Sequence, residues 1–379
     1  MRLVAFLSLL CCSVLFAVSA FAADTLKIGA ILAVTGPASF LGAPEARTLE
    51  MLVEDINAKG GIIGKKVELL VKDSQGSPEK AVSFAKQLIE EEKVFAIIGP
   101  STSGETMAIK NLAEEGKTLL ISCAAAEVIV NPLAKHVFKV APRDSYAAIK
   151  IFDQMKKMKI SKIGVLSSNT GFGKAGKEQL EKLAPERGIQ IVVNEVYDKA
   201  ATDLTAEVTK LKAARVQAIV NWSIEPAQAI VIKNARQIGM TVPIFQSHGF
   251  ANINYCKMCG SAAEGVIFPA SRLVVADALP DKNRQKPVIM AYKKAYESKY
   301  NEEVSTFGGH AYDSLMLLAR AIREAGDNPE KVRTSFENIR NFVGTAGVFN
   351  FTPQDHNGLD IDAFAMLTVK DGKFVLLEK

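Results

Sequence analysis

Apolar segments typical of buried strands alternate with amphipathic helical patterns along most of this chain. The clearest unit spans residues 94–112, with an apolar strand at 94–98, the chain breakers Gly99 and Pro100, a Ser/Thr-rich loop and a helical pattern. Apolar strands joined by helices are typical of parallel sheets that are buried on both faces. The alternation therefore predicts an α/β fold in which helices cover both sides of open, mostly parallel sheets.

The alternation falls into two series, at residues 26–140 and 162–246. In the first series, apolar spacing predicts a helix at 45–58. Later the pattern is mainly helical, and residues 348–377 are typical of an antiparallel ribbon with a turn at Asp371-Gly372. Two series of this size predict two similar lobes.

The first residues have the pattern of a secretory signal peptide. Arg2 precedes an apolar segment at 3–18, and Ala20-Phe21-Ala22 supplies a small-residue cleavage site. We expect residues 1–22 to be the signal peptide, with cleavage after Ala22 or Ala23. The apolar segment is too short for a membrane anchor, and no later segment is long and apolar enough to span a bilayer. The sequence therefore predicts an exported, soluble protein.

Composition excludes some partners. The net charge is only +5 at pH 7, and the Lys residues are spread along the 379-residue chain rather than gathered in one stripe. This pattern argues against nucleic-acid binding. The 48% apolar content allows full cores, and after the predicted signal peptide only Cys123, Cys256 and Cys259 remain. We expect core packing, rather than disulfides, to hold the fold together.

Cys256 and Cys259 form a C-x-x-C pair, with His248 upstream. A redox motif and a metal site are both possible for such a pair. No fourth ligand is evident, so no metal is expected, and export to an oxidising compartment favours a structural disulfide between Cys256 and Cys259.

The loop after residue 98 has the features of an anion site. It follows the carboxyl end of a strand, which is where open α/β sheets hold ligands. It also opens a helix, whose free N–H groups and dipole favour negative charge. Ser101, Thr102 and Ser103 add hydroxyl donors. We expect this loop to bind a carboxylate, while a simple Ser/Thr N-cap without a ligand remains the alternative.

Two enzyme hypotheses have weaker support. Glycines at 171, 173 and 176 follow a strand and open a helix, and Glu195 ends the next strand, which matches a dinucleotide-binding pattern. NAD is scarce outside the cell and no catalytic residues are evident, so no cofactor is expected. A hydrolytic site with Ser103 and His248 lacks the G-x-S-x-G motif. His310 and Asp313, three residues apart, are expected to bond to each other.

Several short stretches carry a family resemblance when they are taken together. The most specific is D-I-N-A-K-G-G-I at 55–62, and the others are 27–29 with 35–37, 98–100 with 103–104, 171–173 and 262–265. They span most of the chain after the predicted signal peptide. In this order they resemble the substrate-binding proteins of branched-chain amino acid importers, the leucine/isoleucine/valine-binding type.

The resemblance implies an α/β fold of two doubly wound parallel-sheet lobes joined by three crossovers, the type I periplasmic binding protein fold. One lobe would hold residues 24–141 and 271–347, and the other 142–270 and 348–379. The ligand would bind between lobes that close by hinge motion. A non-enzymatic, monomeric periplasmic receptor is implied, with a membrane permease and two cytoplasmic ATPases as partners. A sensory module of the same fold is the alternative.

The resemblance also implies roles for single residues. Family members hold the ligand carboxylate with a serine and backbone amides of the loop that contains Ser103. A family threonine that binds the amino acid corresponds to Ala126, and the glutamate that binds the α-ammonium corresponds to His248. An ammonium buried without its carboxylate partner costs about 3–5 kcal/mol. We therefore expect a small apolar or aromatic carboxylate, unless Glu225 supplies the missing charge.

Phe172 is expected to cover the ligand, and other apolar side chains would wall the pocket. The candidate ligand-binding residues are Phe40, Leu41, Thr102, Ser103, Gly104, Ala124, Ala126, Phe172, Trp222, Glu225, His248 and Phe307.

Overall fold

The computed structural model describes residues 25–377, so the predicted signal peptide at 1–22 lies outside the described residues. The strands are β1 (Leu26–Leu32), β2 (Val67–Asp73), β3 (Ala96–Ile98), β4 (Leu119–Ser122), β5 (Val137–Lys139), β6 (Lys162–Ser168), β7 (Gln190–Tyr197), β8 (Ala218–Trp222), β9 (Ile244–Gln246), β10 (Ile267–Ala270), β11 (Phe342–Val343), β12 (Val348–Phe349), β13 (Ala365–Lys370) and β14 (Lys373–Leu376). The α-helices are α1 (Ser39–Ala58), α2 (Pro78–Lys86), α3 (Ser103–Glu115), α4 (Asp144–Lys157), α5 (Gly171–Leu183), α6 (Thr205–Ala213), α7 (Ala227–Gln237), α8 (Ile253–Cys259), α9 (Lys286–Tyr300), α10 (Thr306–Ala325) and α11 (Pro329–Glu337).

The strands form two large sheets with the same internal order. The first sheet is β2-β1-β3-β4-β5, and all its pairs are parallel. The second begins β7-β6-β8-β9-β10, also parallel, and continues with the antiparallel strands β13 and β14. Each sheet reverses its winding beside its first strand, which opens a crevice at the carboxyl ends of β1 and β3 and of β6 and β8. The predicted fold of two α/β lobes with parallel sheets is confirmed.

Helices cover both faces of each sheet. In the first lobe, α1, α10 and α11 pack on one face, where Leu49 and Leu318 meet Ile28, and α2 and α3 pack on the other. In the second lobe, α6, α7 and α8 cover one face, and α4 and α5 cover the other. The burial of both faces explains why the strand sequences are continuously apolar. Among residues 25–377, no helix has the length and apolar character needed to cross a membrane.

The third crossover lies later than the expected boundary at residue 348. Phe349, Phe351 and Leu359 pack in the core of the first lobe, whereas Leu367 and Val369 pack in the second. Strand β12 pairs with β11 in a small hairpin, so it does not join the second sheet. We infer that the chain passes between the lobes at about residue 364. The predicted turn at Asp371-Gly372 does join two antiparallel strands.

Helix α1 begins at Ser39, six residues before the start predicted from sequence, and contains Pro44. Proline has no N–H to donate to the carbonyl four residues earlier, which usually ends or kinks a helix. Here that carbonyl, on Phe40, accepts a hydrogen bond of 2.8 Å from Nδ2 of Asn252 in the second lobe. The free carbonyl thus becomes a contact between lobes, and this contact could not be inferred from the local sequence.

The lobes are closed against each other in this structure. The N-termini of α3 and α5 meet so tightly that a Cβ on Gly171 would lie 2.8 Å from the backbone of Gly104. Phe40 also packs edge-on against Tyr255, with ring centroids 4.9 Å apart. The crevices of the two sheets therefore face each other and form one enclosed cleft.

The expected disulfide is absent, because Cys256 and Cys259 are both free, buried thiols. Both lie on α8, and Sγ of Cys256 is directed to the carbonyl of Gly372, at 3.6 Å. That contact ties α8 to the turn between β13 and β14.

Lys139, at the end of β5, is fully buried, and burial lowers its pKa to about 7 against the opposing charge of Asp144. Its Nζ donates to the carbonyls of Ala125 at 2.8 Å, Ala141 at 2.7 Å and Pro142 at 3.3 Å. Three carbonyl acceptors match the three donors of an ammonium. Lys139 therefore joins the loop after β4 to the first crossover between the lobes.

We expect Lys139→Met to lower the free energy of unfolding by about 3–5 kcal/mol, because three buried carbonyls and the buried Asp144 carboxyl lose their cation. Urea unfolding followed by circular dichroism measures this change. The matched control is Lys210→Met, which removes an exposed pair with Glu195 and should change stability by less than about 1 kcal/mol. Equal effects of the two substitutions would contradict the structural role of Lys139.

Candidate functional site

A pocket lies where the two crevices meet, which we call the cleft pocket. It is formed by the loops after β3, β4, β8 and β9, together with α1, α5 and α10. The cavity enclosed between its side chains is only about 20 Å³, roughly the room of one water molecule, so the closed lobes leave little free space there. The lining residues are Leu41, Ser101, Ser103, Cys123, Ala124, Ala125, Phe172, Ile224, His248, Gly249, Phe307 and His310.

Ser103 is the first residue of α3 and lies in the cleft pocket, as expected for a carboxylate-binding serine. Its Oγ accepts a hydrogen bond of 3.2 Å from the backbone N–H of Ala126. Within residues 25–377, no acceptor is hydrogen-bonded to the proton of this hydroxyl. That proton and the first N–H groups of α3 are donors at the positive end of a helix dipole, an arrangement suited to an anion.

Thr102 has a different role from the expected ligand contact. It is the N-cap of α3 and does not line the pocket. Its Oγ1 donates to Oε2 of Glu105 at 2.6 Å and accepts from the N–H of Glu105, which completes a capping box. Both hydrogen-bonding roles of the hydroxyl are therefore used within the helix end, and the cap hypothesis holds for Thr102 but not for Ser103.

Ser101 lines the pocket but its hydrogen bonds are also complete. Its Oγ accepts from the N–H of Ala33 at 3.0 Å and donates to the buried carboxyl of Glu45. Burial raises the pKa of Glu45 well above its usual value. Ser101 therefore ties the loop after β3 to β1 and α1, and so fixes the position from which Ser103 faces the cleft.

His248 follows β9 and enters the pocket from the second lobe. It is 7% exposed, and neither ring nitrogen has a partner within the described chain. The rings of Phe172, Trp222 and Phe364 surround it, with centroids 5.2, 5.7 and 5.2 Å away. Burial, followed by the charge of Lys139 and the interaction with the His310 ring, lowers the pKa of His248 well below 6.5. His248 is therefore a neutral imidazole that offers one donor and one acceptor.

His310, on α10, also lines the pocket and faces it from the first lobe. Its expected bond to Asp313 is absent. Asp313 instead accepts from the backbone N–H groups of Thr345 and Ala346, at 2.7 and 2.8 Å. The helical spacing brought the two residues near each other, but the loop at 345–346 provides closer donors.

Glu225, the alternative partner for an ammonium, does not line the pocket. It is 5% exposed, and its Oε2 has no hydrogen-bond partner among the described residues. Burial raises its pKa to about 7; the positive Lys199 opposes this shift, and Glu105 of the first lobe adds to it. Glu225 therefore lies beside the pocket, next to the lining residue Ile224.

The glycines of the dinucleotide-like pattern have a packing explanation. A Cβ on Gly173 would lie 1.9 Å from the Ser168 carbonyl, and one on Gly176 would lie 2.0 Å from the indole nitrogen of Trp222. Gly171 meets Gly104 of the opposite lobe. Glycine is needed at these positions so that α5 can approach β6, β8 and α3 closely.

Some of the remaining candidate residues line the cleft pocket, and the others lie close to it without lining it. Leu41, Ala124, Phe172 and Phe307 line the pocket, whereas Phe40, Gly104, Ala126 and Trp222 lie behind or beside it. Ser101, which the sequence indicated as a hydroxyl donor of the carboxylate-binding loop, also lines the pocket, whereas sequence reasoning missed Cys123, Ala125, Ile224, Gly249 and His310. Most of these are neighbours of predicted residues in the same loops. His310 had no such signal, because it reaches the pocket from a helix late in the chain. Among residues 25–377, no group of three or more His, Cys, Asp or Glu side chains is placed to hold a metal.

Comparison with known proteins agrees with this architecture. The sequence profile of the family described as periplasmic binding protein matches residues 25–373. The chain is 27% identical over 322 residues to the leucine-, isoleucine-, valine-, threonine- and alanine-binding protein of Pseudomonas aeruginosa, covering 84% of this chain and 83% of that one. It is 25% identical over 357 residues to the Leu/Ile/Val-binding protein BraC3 of Rhizobium johnstonii, covering 93% and 94%.

Solved structures show the same similarity. An extracellular ligand-binding receptor from Rhodopseudomonas palustris HaA2 superposes with a TM-score of 0.88 at 29% identity, covering 93% of this chain and all of that one. The branched-chain amino acid transporter substrate-binding protein LivJ of Streptococcus pneumoniae, in complex with isoleucine, superposes with a TM-score of 0.81 at 28% identity, covering 93% and 98%. With two doubly wound lobes closed around one pocket, this chain belongs to the periplasmic binding proteins of the branched-chain amino acid type.

Proposed function

We propose that this protein is the periplasmic solute-binding component of an ABC importer and that it captures a small apolar or aromatic carboxylate without an α-ammonium group. The supporting observation is that no acidic side chain of residues 25–377 lines the cleft pocket, although donors for an anion are present there. In the proposal, the carboxylate accepts hydrogen bonds from the Ser103 hydroxyl and from N–H groups at the start of α3.

The charges around the pocket support an anion. Lys139 donates to the carbonyl of Ala125, a lining residue, and so places its amine behind the pocket wall. Burial lowers the pKa of Lys139 to about 7, and the charge of Asp144 opposes that shift, so the amine carries positive charge below about pH 7. Burial is the largest cause of the lowered pKa of His248 and of His310, and the charge of Lys139 is the second largest cause in both. A positive field that disfavours imidazolium also disfavours a ligand ammonium and favours a carboxylate.

The apolar lining supports a compact hydrocarbon body on the ligand. Leu41, Phe172, Ile224 and Phe307 are all buried and contribute side chains from both lobes. Aromatic and aliphatic walls of this kind contribute by burying apolar area and by offering ring faces and edges for stacking. Because the closed pocket has only about 20 Å³ of free volume, a small ligand body displaces the fewest of these side chains.

A hydrophobic amino acid is the second candidate, and Glu225 is the observation that favours it. Its unpartnered Oε2 lies next to the pocket, and a small movement of Ile224 and Glu225 would place a carboxylate near a ligand ammonium. The names of the relatives from Pseudomonas aeruginosa and Rhizobium johnstonii, which describe amino acid binding, are consistent with this alternative.

Calorimetry of the mature protein against benzoate, 4-methylbenzoate, butyrate and leucine tests the proposal. We expect at least one of the acids to bind at least tenfold more tightly than leucine. We expect His248→Glu to reverse this order, because a carboxylate at that position repels the acids and pairs with the ammonium of leucine. His248→Gln, which keeps a neutral donor and acceptor, is the matched control and should keep the order. Tight leucine binding without acid binding would overturn the proposal.

Ser103→Ala should weaken binding of the preferred acid about tenfold or more, because a hydrogen bond to a charged group contributes about 1.5–3 kcal/mol. The matched control is Thr102→Ala, which removes the N-cap of α3. That control should lower the melting temperature, because an N-cap contributes about 1 kcal/mol, and should change affinity much less than Ser103→Ala. If the two variants lose affinity equally, Ser103 has no special role in binding the acid.

Gly171→Ala should weaken the preferred acid while leaving the melting temperature of the ligand-free protein near the wild-type value. The added Cβ would meet the backbone of Gly104 only when the lobes are closed. Gly176→Ala is the control within one lobe, where the new methyl meets Trp222, so it should lower the melting temperature in all states. An unchanged affinity in Gly171→Ala would show that closure does not require this contact.

A further inference from the structure

His310 has an unusual hydrogen-bonding state for a buried side chain. It is 5% exposed, lines the cleft pocket, and its Nδ1 has no partner among the described residues. The ring is also hydrogen-bonded to the backbone of Cys123, which opposes part of the loss of basicity. A carbonyl that raises the basicity of a ring accepts a proton from it, so the bonded nitrogen carries the N–H.

The tautomer of His310 follows from that bond. Burial, followed by the charge of Lys139, lowers the pKa of His310 to about 3, so the ring is neutral near pH 7. A neutral imidazole carries one N–H, and the bond to Cys123 uses it. The unpartnered Nδ1 is therefore a lone-pair acceptor on a residue that lines the pocket. A buried acceptor without a donor costs about 1–3 kcal/mol.

The described residues near His310 do not supply the missing donor. The thiol of Cys123 is paired with Oγ of Ser314, at 3.8 Å, and Oγ of Ser314 donates to the His310 carbonyl at 2.9 Å. A ligand carboxylate cannot supply the donor either, because an ionised carboxylate only accepts hydrogen bonds. The pocket thus contains an acceptor that the carboxylate of the proposed ligand leaves unsatisfied.

His248 is the other histidine of the cleft pocket with unpartnered ring nitrogens among the described residues. It faces the same pocket from the opposite lobe, and both its ring nitrogens are unpartnered within the described chain. As a neutral ring it offers one N–H and one acceptor. A hydroxyl group both donates and accepts, so one hydroxyl can donate to Nδ1 of His310 and accept from the N–H of His248.

We infer that the ligand is a hydroxy-substituted carboxylic acid, with its hydroxyl held between His248 and His310 and its carboxylate at Ser103. This inference rests on the proposed function and adds His310 as a residue that determines specificity. Sites that hydrogen-bond a substrate hydroxyl reject analogues that lack it far more strongly than sites that only contact a methyl group. Because the two histidines belong to different lobes, a hydroxyl bound between them also stabilises the closed state.

Calorimetry with matched pairs of acids tests the inference. The pairs are 2-, 3- and 4-hydroxybenzoate with the corresponding methylbenzoates, and 3-hydroxybutyrate with 3-methylbutyrate. Methyl analogues are suitable controls because a methyl group has nearly the size of a hydroxyl group but cannot form hydrogen bonds. We expect one hydroxy acid to bind at least tenfold more tightly than its methyl partner. In His310→Phe, which removes the acceptor but keeps a ring, the ratio should fall to about one.

Two further measurements separate the possible outcomes. His310→Gln keeps an acceptor and should retain part of the preference, whereas Phe307→Leu should weaken both members of a pair alike. Equal binding of hydroxy and methyl acids by the wild-type protein would overturn the inference and leave the proposed function intact. Binding of leucine, with none of the acids bound, would overturn the proposed function itself.

Discussion

The site depends on the placement of the carboxyl ends of two parallel sheets against each other. In each sheet the strand order reverses beside the first strand, so the loops after neighbouring strands diverge and leave a crevice. Closure of the lobes joins the two crevices into one cavity that excludes water. In such a cavity each polar group needs a specific partner, because an unsatisfied donor or acceptor costs more there than at the surface.

This requirement separates residues that look alike in the sequence. Ser101, Thr102 and Ser103 are consecutive hydroxyl residues, yet two of them have complete hydrogen bonds within the protein. Of the three, only the hydroxyl of Ser103 has no acceptor for its proton within residues 25–377. The rings of His248 and His310 also contain nitrogens without hydrogen-bond partners among the described residues. This observation is the basis for inferring a ligand with a second polar group. Burial, followed by the charge of Lys139, lowers the pKa of both rings and keeps them neutral.

Closure depends on local irregularities that would be unfavourable elsewhere. Pro44 leaves a carbonyl of α1 without its helical partner, and Asn252 of the other lobe provides the replacement. Gly104 and Gly171 allow two helix ends to meet where side chains would keep them apart. These contacts form only between lobes, so they stabilise the closed state without adding to the stability of either lobe.

Local patterns in the sequence were sufficient for the two-lobe α/β fold and the strand–loop–helix unit at Ser103, whereas the candidate roles of Phe172 and His248 came from the family resemblance. Hydrophobic periodicity and helix-start signals are local properties, and they determine where strands, helices and strand-end loops occur. Only the tertiary structure decided the start of α1, the third crossover, the free state of Cys256 and Cys259, and the entry of His310 into the pocket. Each of these depends on a partner more than 100 residues away, or on the course of the chain between lobes, which no local pattern encodes.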